Sequence, residues 1–355
     1  MLRMAVYWSA CLASVLFTWF AIHVKHEKEG IRYWLLVTFV AALPLIYISA
    51  IRYNVGADYI PYYRYYLGVL NGAGQGRYEI LYFLANKLVA SLHLSAPWFF
   101  GFTAALFLMP VYKRIISDSP YPYMSIFLLL GMTYFFFFLN GTRQMIGAAF
   151  LLLSIPFIEN RKFIPFLALV LIATGFHTTC IVFLAVYFLV YMDLKPKALM
   201  AITLAVFVFG QFLANFVNGF LSNMDYYSSY LESTFAQRGQ GYVVLAMNIL
   251  LVAFTTVFYQ QDNPRFKIYY NLQVVALWAS ALTGKIVLID RYRMVFGLAS
   301  VILIPMTLNG IENKNTRGIC SAAVVVLYFI YAMYTVGMQN SNMVMPYQTI
   351  FSIIG

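Results

Sequence analysis

Blocks of roughly 15 to 20 mostly apolar residues, separated by short charged loops, recur along the chain. As helices, blocks of this length cross a hydrocarbon layer about 30 Å thick. The pattern predicts twelve membrane-spanning helices near residues 4–22, 33–51, 96–112, 121–139, 144–158, 163–176, 178–192, 198–220, 241–259, 268–287, 295–310 and 319–338. We therefore expect an all-α polytopic protein in which residues 1–355 form a single transmembrane domain.

Residues 79–93 do not fit this pattern. Polar residues interrupt the short apolar run at Glu79, Asn86, Lys87 and His93. We interpret the run as an interfacial or re-entrant helix that belongs to an external loop spanning residues 52–95. A second external loop is predicted at residues 221–240.

Composition supports a membrane environment. Hydrophobic residues make up 63% of the chain and charged residues only 10%, well below the charged share of a typical soluble domain. The net charge of +11 is scattered over short loops and forms no basic stripe, so nucleic acid is not an expected partner. The lipid bilayer and anionic ligands are the expected partners.

The basic residues fall into two populations. If residues 79–93 do not cross the membrane, one side receives eight lysines and five arginines, and the positive-inside rule makes it cytoplasmic, with both termini outside. The opposite side receives eight arginines and only two lysines, Lys87 and Lys285. Because arginine grips phosphate or carboxylate oxygens through paired donors, this second population indicates anion recognition.

The first external loop combines an arginine, an aspartate and many tyrosines. Arg52 ends the second predicted span, and Asp58 precedes Tyr59, Tyr62 and Tyr63. One interpretation is an aromatic belt at headgroup level with snorkelling arginines. The other is a surface that binds sugar and phosphate, on which tyrosine rings stack against sugars and Asp58 accepts a proton from a hydroxyl.

Arg143 and Gln144 open a middle helix. With Thr142 as N-cap, Arg143 lies in the first turn, where free N–H groups and the helix dipole already favour an anion. A cation is unfavourable there by itself. We therefore predict that Arg143 binds a ligand, the alternative being simple snorkelling.

His177 is the only histidine predicted on a short, apolar external turn. Its near-neutral pKa suits it to act as a base or as a partner to phosphate. A purely structural role is the alternative. Neither a second histidine nor a carboxylate lies nearby in sequence, so no metal site is predicted.

A charged segment, Asp290-Arg291-Tyr292-Arg293, lies between two predicted spans. In an extended backbone Arg291 and Arg293 point to the same side and form a two-pronged clamp. Asp290 then orients one arginine or acts as a base. Such charges are costly beside hydrocarbon, which favours a functional role.

These segments together resemble the EpsG family, whose members are similar to the Wzy polymerases of bacterial surface polysaccharides such as O-antigen and exopolysaccharide. The resemblance rests on Arg52 to Tyr59, Arg143-Gln144, Arg161-Lys162-Phe163, Phe176-His177 and Asp290 to Arg293. It implies a GT-C-like membrane glycosyltransferase that uses no metal or cofactor. Such an enzyme transfers the growing glycan from polyprenyl (undecaprenyl) diphosphate to the non-reducing-end hydroxyl of an incoming lipid-linked unit.

The resemblance also implies roles and a location. Diphosphate ligands would be Arg143, Arg291, Arg293 and Arg52, the base would be Asp58 or His177, and the remaining substrate-binding residues would be Gln144, Asp290, Tyr59, Tyr62, Tyr63 and Tyr292. The site would face the periplasm or cell exterior from the bacterial cytoplasmic (inner) membrane. Expected partners are polyprenyl-diphosphate-linked oligosaccharides and a chain-length regulator.

Two other functions use similar chemistry. A flippase for lipid-linked oligosaccharides also binds diphosphate through arginines, but it should carry basic residues in mid-helix inside a cavity. A glycan ligase shares nearly all features of the polymerase and differs only in its acceptor. The sequence by itself leaves the ligase open.

Overall fold

The computed structural model describes residues 4–23, 30–191, 195–222 and 241–353, and these residues form helices without any β-strand. The expected all-α class is thereby confirmed. The α-helices are α1 (Ala5–His23), α2 (Ile31–Ala50), α3 (Tyr59–Leu70), α4 (Ile80–Ser91), α5 (Ala96–Asp118), α6 (Pro122–Gly131), α7 (Tyr134–Phe138), α8 (Thr142–Glu159), α9 (Phe163–Phe176), α10 (Leu184–Tyr191), α11 (Pro196–Leu221), α12 (Tyr242–Val257), α13 (Pro264–Leu282), α14 (Ile289–Gly297), α15 (Ser300–Asn309) and α16 (Lys314–Ala332). A 3-10 helix, Thr178–Phe183, precedes α10, and a π-helix, Met333–Met338, continues α16.

Five helices of the described part are long and apolar enough to cross a membrane: α1, α2, α5, α11 and α16 together with its π-helical extension. The pair α14 and α15 adds a sixth candidate, bent by 44°. The protein is thus an integral membrane protein. The remaining helices are shorter or less apolar, so the number of twelve spans stays a prediction.

Two predicted spans are broken. The span expected at residues 121–139 divides into α6 and α7, because Thr133 has a φ of 68° and a left-handed residue interrupts a right-handed helix. The span expected at residues 295–310 begins earlier, at Ile289, after another left-handed residue, Leu288, and bends between α14 and α15. Neither left-handed residue is a glycine or a proline, so neither break could be recognised from the sequence at that position.

The region expected as an external loop contains two short helices that pack on each other, α3 and α4. With 12 residues each, they are about 18 Å long, too short to cross about 30 Å of hydrocarbon. The prediction left α3 as loop. Its buried residues Tyr59, Tyr62, Tyr66 and Val69 follow the three- and four-residue spacing of a helix face, so the signal was present. The second predicted loop, at residues 221–240, lies almost entirely outside the described residues.

One end of the helix bundle is held by a buried ionic cluster. The carboxylate of Asp118, fully buried at the end of α5, accepts hydrogen bonds from Arg114, from Nη1 of Arg265 at 2.8 Å and from the hydroxyl of Tyr269 at 2.6 Å. Nε of Arg265 also donates to Glu159 at 2.8 Å. The cluster ties the ends of α5 and α8 to the start of α13. The loops that we predict on the cytoplasmic side therefore meet at one end.

Candidate active site

At the opposite end of α8, the carboxylate of Glu79 lies between a guanidinium and an imidazole. Its Oε2 accepts a hydrogen bond from Nη1 of Arg143, and its Oε1 lies 3.0 Å from Nδ1 of His177. The backbone N–H of Thr178 also donates to Oε1, at 3.4 Å. Glu79 precedes α4, Arg143 lies in the first turn of α8 and His177 follows α9, so one carboxylate joins three separate segments.

These surroundings keep the carboxylate ionised and the imidazole neutral. Burial raises the pKa of Glu79, but the hydrogen bond with His177 and the charge of Arg143 outweigh burial and bring this pKa to about 2. For His177, burial lowers the pKa, the bond with Glu79 raises it and the charges of Arg143 and Arg291 lower it, with a net downward shift. Near pH 7 the ring is therefore neutral. Its Nδ1–H donates to Glu79 and its Nε2 carries a lone pair.

Nε2 of His177 is buried and makes no hydrogen bond with any residue that the structure describes. Buried polar atoms of folded proteins nearly always have a partner, so an unpartnered lone pair calls for an explanation. A carboxylate on one ring nitrogen and an unpartnered second nitrogen are the arrangement that a general base requires. A hydroxyl group of a ligand would complete the bonding of this ring.

Arg143 is held on several sides but keeps donor capacity. Besides its hydrogen bond to Glu79, its charge acts on the hydroxyl of Tyr62, and its guanidinium carbon lies 4.6 Å from the ring centre of Tyr78. Its Nε is buried without a hydrogen bond to the described residues, and 22% of the side chain is exposed. Helix α8 begins at Thr142 itself, with Gly141 as N-cap, so Arg143 lies in the first turn as expected. The helix start and the arginine both favour an anion.

Arg291 belongs to the same assembly. It lies in the first turn of α14, and its carbonyl accepts a hydrogen bond from the side chain of Gln144. The charge of Arg291 acts on both His177 and Asp58. Asp58 lies at the N-cap of α3, where burial raises its pKa and the positive charges of four arginines, Arg143, Arg291, Arg52 and Arg77, oppose this rise.

Arg293 diverges from Arg291. The expectation of an extended backbone is wrong, because Ile289–Gly297 is an α-helix in which residues two apart differ in direction by roughly 200°. The charge of Arg293 acts on the hydroxyls of Tyr134 and Tyr331 instead. Asp290 and Tyr292, half-buried, lie beside them in the first turns of α14.

Arg52 is 2% exposed and directs its guanidinium into the protein. Nη1 donates to the carbonyls of Val55 at 2.9 Å and Leu139 at 2.6 Å. The guanidinium also lies over the rings of Phe100 and Tyr59, at 4.9 and 5.6 Å. These contacts join the loop that precedes Asp58 to the turn that precedes Arg143.

The C-terminal segment covers the same loop and turn. The backbone N–H of Tyr53 donates to Gln348, and that of Gly56 donates to Met343, at 2.9 and 2.8 Å. The side chain of Asn140 donates to the carbonyl of Asn342 at 2.8 Å. Residues 342–350, which we call the C-terminal strap, thus cover the loop that precedes Asp58 and the turn that precedes Arg143. The sequence pattern did not predict this contact.

The predicted tyrosines are mostly interior. Tyr59 is buried and stacks on Phe100, with ring centres 4.7 Å apart, while Tyr62 is buried beside Tyr82. Tyr63 is half-buried and stacks against Tyr59 at 5.9 Å. Tyr59 and Tyr62 therefore shape the site from within.

The model of the EpsG family matches residues 9–349. The chain belongs to the EpsG family. Neither the search of curated proteins nor the search of solved structures returned a match. The EpsG assignment spans nearly the whole chain, so it covers the Glu79 cluster, the ionic cluster at the opposite end and the C-terminal strap together.

Membership in the EpsG family indicates a membrane polysaccharide polymerase with glycosyltransferase-like activity. The predicted EpsG resemblance is confirmed over the whole matched range. Of the predicted site residues, the structure brings together His177, Arg143, Arg291, Gln144 and Asp58.

Two residues of the site were not predicted from sequence: Glu79 and Tyr78. Glu79 was treated only as an interruption of an apolar run. A carboxylate flanked by such a run is costly unless it is paired, and this cost was the available signal. Tyr78 carries no comparable signal, because tyrosines are common throughout this region.

Proposed function

We propose that this protein polymerises lipid-linked oligosaccharide repeat units by a metal-independent, GT-C-like transfer. The growing glycan leaves polyprenyl diphosphate and joins the non-reducing-end hydroxyl of an incoming unit. The observation that carries the proposal is the unpartnered Nε2 of His177, oriented by Glu79 and adjoining the positive charges of Arg143 and Arg291.

His177 acts as the base in the proposed step. The acceptor hydroxyl oxygen attacks the anomeric carbon of the donor sugar while its proton passes to Nε2. The bond between that carbon and the diphosphate oxygen breaks, and the diphosphate leaves with the electron pair. Glu79 stabilises the imidazolium that forms, because its ionised carboxylate remains hydrogen-bonded to Nδ1.

Arg143 and Arg291 stabilise the leaving group. Charge develops on the diphosphate oxygen as the glycosidic bond breaks, and fixed cations beside a hydrocarbon phase act strongly on such charge. The Nε of Arg143 supplies a donor that no described residue uses. The first turn of α8 contributes its own N–H groups to the same anion.

The other predicted residues receive different roles in this proposal. Arg52 positions the site, because its guanidinium is already bonded to two backbone carbonyls. Asp58, exposed among four cations, orients arginines or a sugar hydroxyl. Arg293 points away from Arg291 on α14, and Tyr292 lies between them in sequence. Both residues contact the glycan beyond the reacting sugar in this proposal.

The lysine-rich loops support a site that faces away from the cytoplasm. Arg114 and Arg265 meet at the opposite end from Glu79, as the two-population pattern of basic residues requires. We therefore propose that the site faces the periplasm or cell exterior from a bacterial cytoplasmic membrane, with both termini outside. Undecaprenyl diphosphate is the lipid carrier that such a location offers.

The test is to delete the gene from its host and size the surface glycan after complementation. The wild-type protein should restore long chains, whereas Arg143→Ala and Arg291→Ala should leave single repeat units although the proteins insert normally. Arg64→Ala is the matched control, because Arg64 is an exposed arginine of the same predicted face. Wild-type chain lengths with both site variants would refute the role of these arginines.

The same deletion separates the alternatives. Chains of undiminished length that remain unattached to their final acceptor would identify a ligase. Lipid-linked single units that accumulate only on the cytoplasmic face would identify a flippase. Single units exposed on the outer face are the result that the polymerase requires.

A further inference from the structure

Helix α11 carries a row of amides on a surface that is otherwise apolar. Gln211, Asn215 and Asn218 recur with four- and three-residue spacing, so they lie on one face of the helix. Gln211 donates to Asn215 at 3.0 Å, and both side chains are exposed. Exposed amides are unfavourable against hydrocarbon, so this face requires polar contacts from something other than lipid tails. We call these three residues the amide row.

A row of phenylalanines runs beside the amide row. Phe212, Phe216 and Phe220 recur every four residues and are 76%, 72% and 61% exposed. Phe212 and Phe216 lie roughly 100° around the helix from Gln211 and Asn215, the amides that precede them by one residue. Helix α11 therefore presents an apolar ridge and a polar row side by side, which matches an amphiphile with a hydrocarbon tail and a hydroxyl-rich head.

Lys285 borders the amide row. The amide nitrogen of Asn218 donates to the carbonyl of Lys285 at 2.7 Å. The ammonium of Lys285 lies beside Gly210, 3.5 Å from the position that a Cβ would occupy there, which is an ordinary contact distance. Oδ1 of Asn218 is buried and accepts no hydrogen bond from the described residues. The contact region between α11 and the end of α13 thus combines a cation with an acceptor that no described residue uses.

This contact region adjoins the start of α14. Ala214 of α11 packs against Leu282 and Ile286, and Ile289, the first residue of α14, borders the same small cluster. Arg291 follows two residues later. The amide row therefore lies beside the start of the helix that carries Arg291, and it is separate from Glu79 and His177.

We propose that the amide row, Lys285 and the phenylalanine ridge bind the incoming lipid-linked unit. The inference rests on the proposed function, in which two lipid-linked substrates meet and each brings a diphosphate. The leaving diphosphate occupies Arg143 and Arg291, so the diphosphate of the incoming unit needs a second cation. That diphosphate lies at the reducing end of the unit, away from the attacking hydroxyl, and Lys285 lies correspondingly outside the His177 cluster.

The test counts bound substrate molecules. The probe is the lipid-linked repeat unit extracted from the deletion host, titrated against the full-length protein in lipid nanodiscs and counted by native mass spectrometry. Wild-type protein should bind two units per chain. The variant Lys285→Gln with Asn215→Leu should bind one, and Arg143→Ala should also lose one unit while it retains the other.

Lys87→Gln is the matched control, since Lys87 is an exposed lysine of the same predicted face but lies on α4; it should still bind two units. The inference is overturned if the double variant also binds two units. It is likewise overturned if the amide substitution changes the oligomeric state, because the amide row would then contact a second copy of the chain. Wild-type protein that binds no unit would instead refute the proposed function itself.

Discussion

Oε1 of Glu79 lies 3.0 Å from Nδ1 of His177, and the other ring nitrogen of His177 has no hydrogen-bond partner in the described part of the chain. His177 is buried and Glu79 is half-buried, and the same carboxylate is bonded to Arg143 through its second oxygen. One acidic side chain therefore fixes the tautomer of a candidate base and the position of a candidate diphosphate ligand. Both functions depend on the negative charge of Glu79.

Replacing Glu79 should slow glycan transfer. Glu79→Gln keeps the size of the side chain but removes the charge that stabilises an imidazolium, so we expect a rate about 100-fold lower, at the lower end of the usual range for assisted proton transfer. The measurement is the rate of chain extension by purified protein with extracted lipid-linked units. A second variant, His177→Gln, should cost at least as much.

The double variant Glu79→Gln with His177→Gln provides the control for this interpretation. Residues that act as one unit show non-additive losses, so the double variant should be little slower than His177→Gln by itself. Fully multiplicative losses would show that Glu79 acts independently of His177. A rate for Glu79→Gln within twofold of wild type would contradict the proposal outright.

The rate should depend on pH through His177. A base works in its neutral form, and burial lowers the pKa of His177 below the usual histidine value, so the rate should rise with pH through that lowered pKa and then stay level across neutral pH. Glu79, with a pKa of about 2, stays ionised throughout. The measurement is a pH profile of the initial rate under saturating substrate.

The same profile distinguishes His177 from Asp58. The bond with Glu79 raises the pKa of His177, so Glu79→Gln should shift the acid limb of the profile to lower pH. Residual activity of His177→Gln should lack that limb. A limb that persists in His177→Gln and disappears in Asp58→Asn would assign the base to Asp58.

Much of this assembly follows from sequence because membranes make charge expensive. Arg143, His177 and Arg291 were identified as isolated polar residues at predicted helix ends, and they do lie in one assembly. Glu79 was missed as their partner because it is 64 residues from Arg143 and 98 from His177, and sequence pattern does not reveal contacts at such separations. Only packing of α4 against α9 brings them together.

Backbone conformation accounts for other differences. Arg291 and Arg293 point to the same side in a strand and to different sides in a helix. The predicted two-pronged clamp therefore depended on a backbone conformation that the four residues from Asp290 to Arg293 do not determine by themselves. Thr133 and Leu288 adopt left-handed backbone conformations, which are typical of glycine, so the residue types do not indicate them. Tertiary contacts select these conformations, and a single sequence does not contain those contacts.

Arg52 should prove essential for stability more than for ligand binding. Arg52→Met leaves the carbonyls of Val55 and Leu139 without their donor in a buried region, which should cost about 2–4 kcal/mol of unfolding free energy. Arg52→Lys keeps one donor and should cost less. The measurement is the unfolding of the purified protein in detergent, compared with Arg291→Ala, which should remain as stable as wild type. Wild-type stability of Arg52→Met, with weakened binding of lipid-linked units, would restore Arg52 as a diphosphate ligand.

Gly56 and Gly72 offer a matched pair for testing the loop that precedes α3. Both have a left-handed φ, 99° and 90° respectively, so alanine adds conformational strain of about 1 kcal/mol at either position. At Gly56 a Cβ would also lie 2.9 Å from the carbonyl oxygen of Leu139 and from Oδ1 of Asn140, whereas at Gly72 it meets nothing within 4 Å. Gly56→Ala should therefore displace the turn that precedes Arg143, with lower stability and a transfer rate at least about 10-fold lower, since small misplacements are costly in catalysis. Gly72→Ala should retain at least half of the wild-type rate, and equal losses in the two variants would show that strain, and not the contact with this turn, determines the effect.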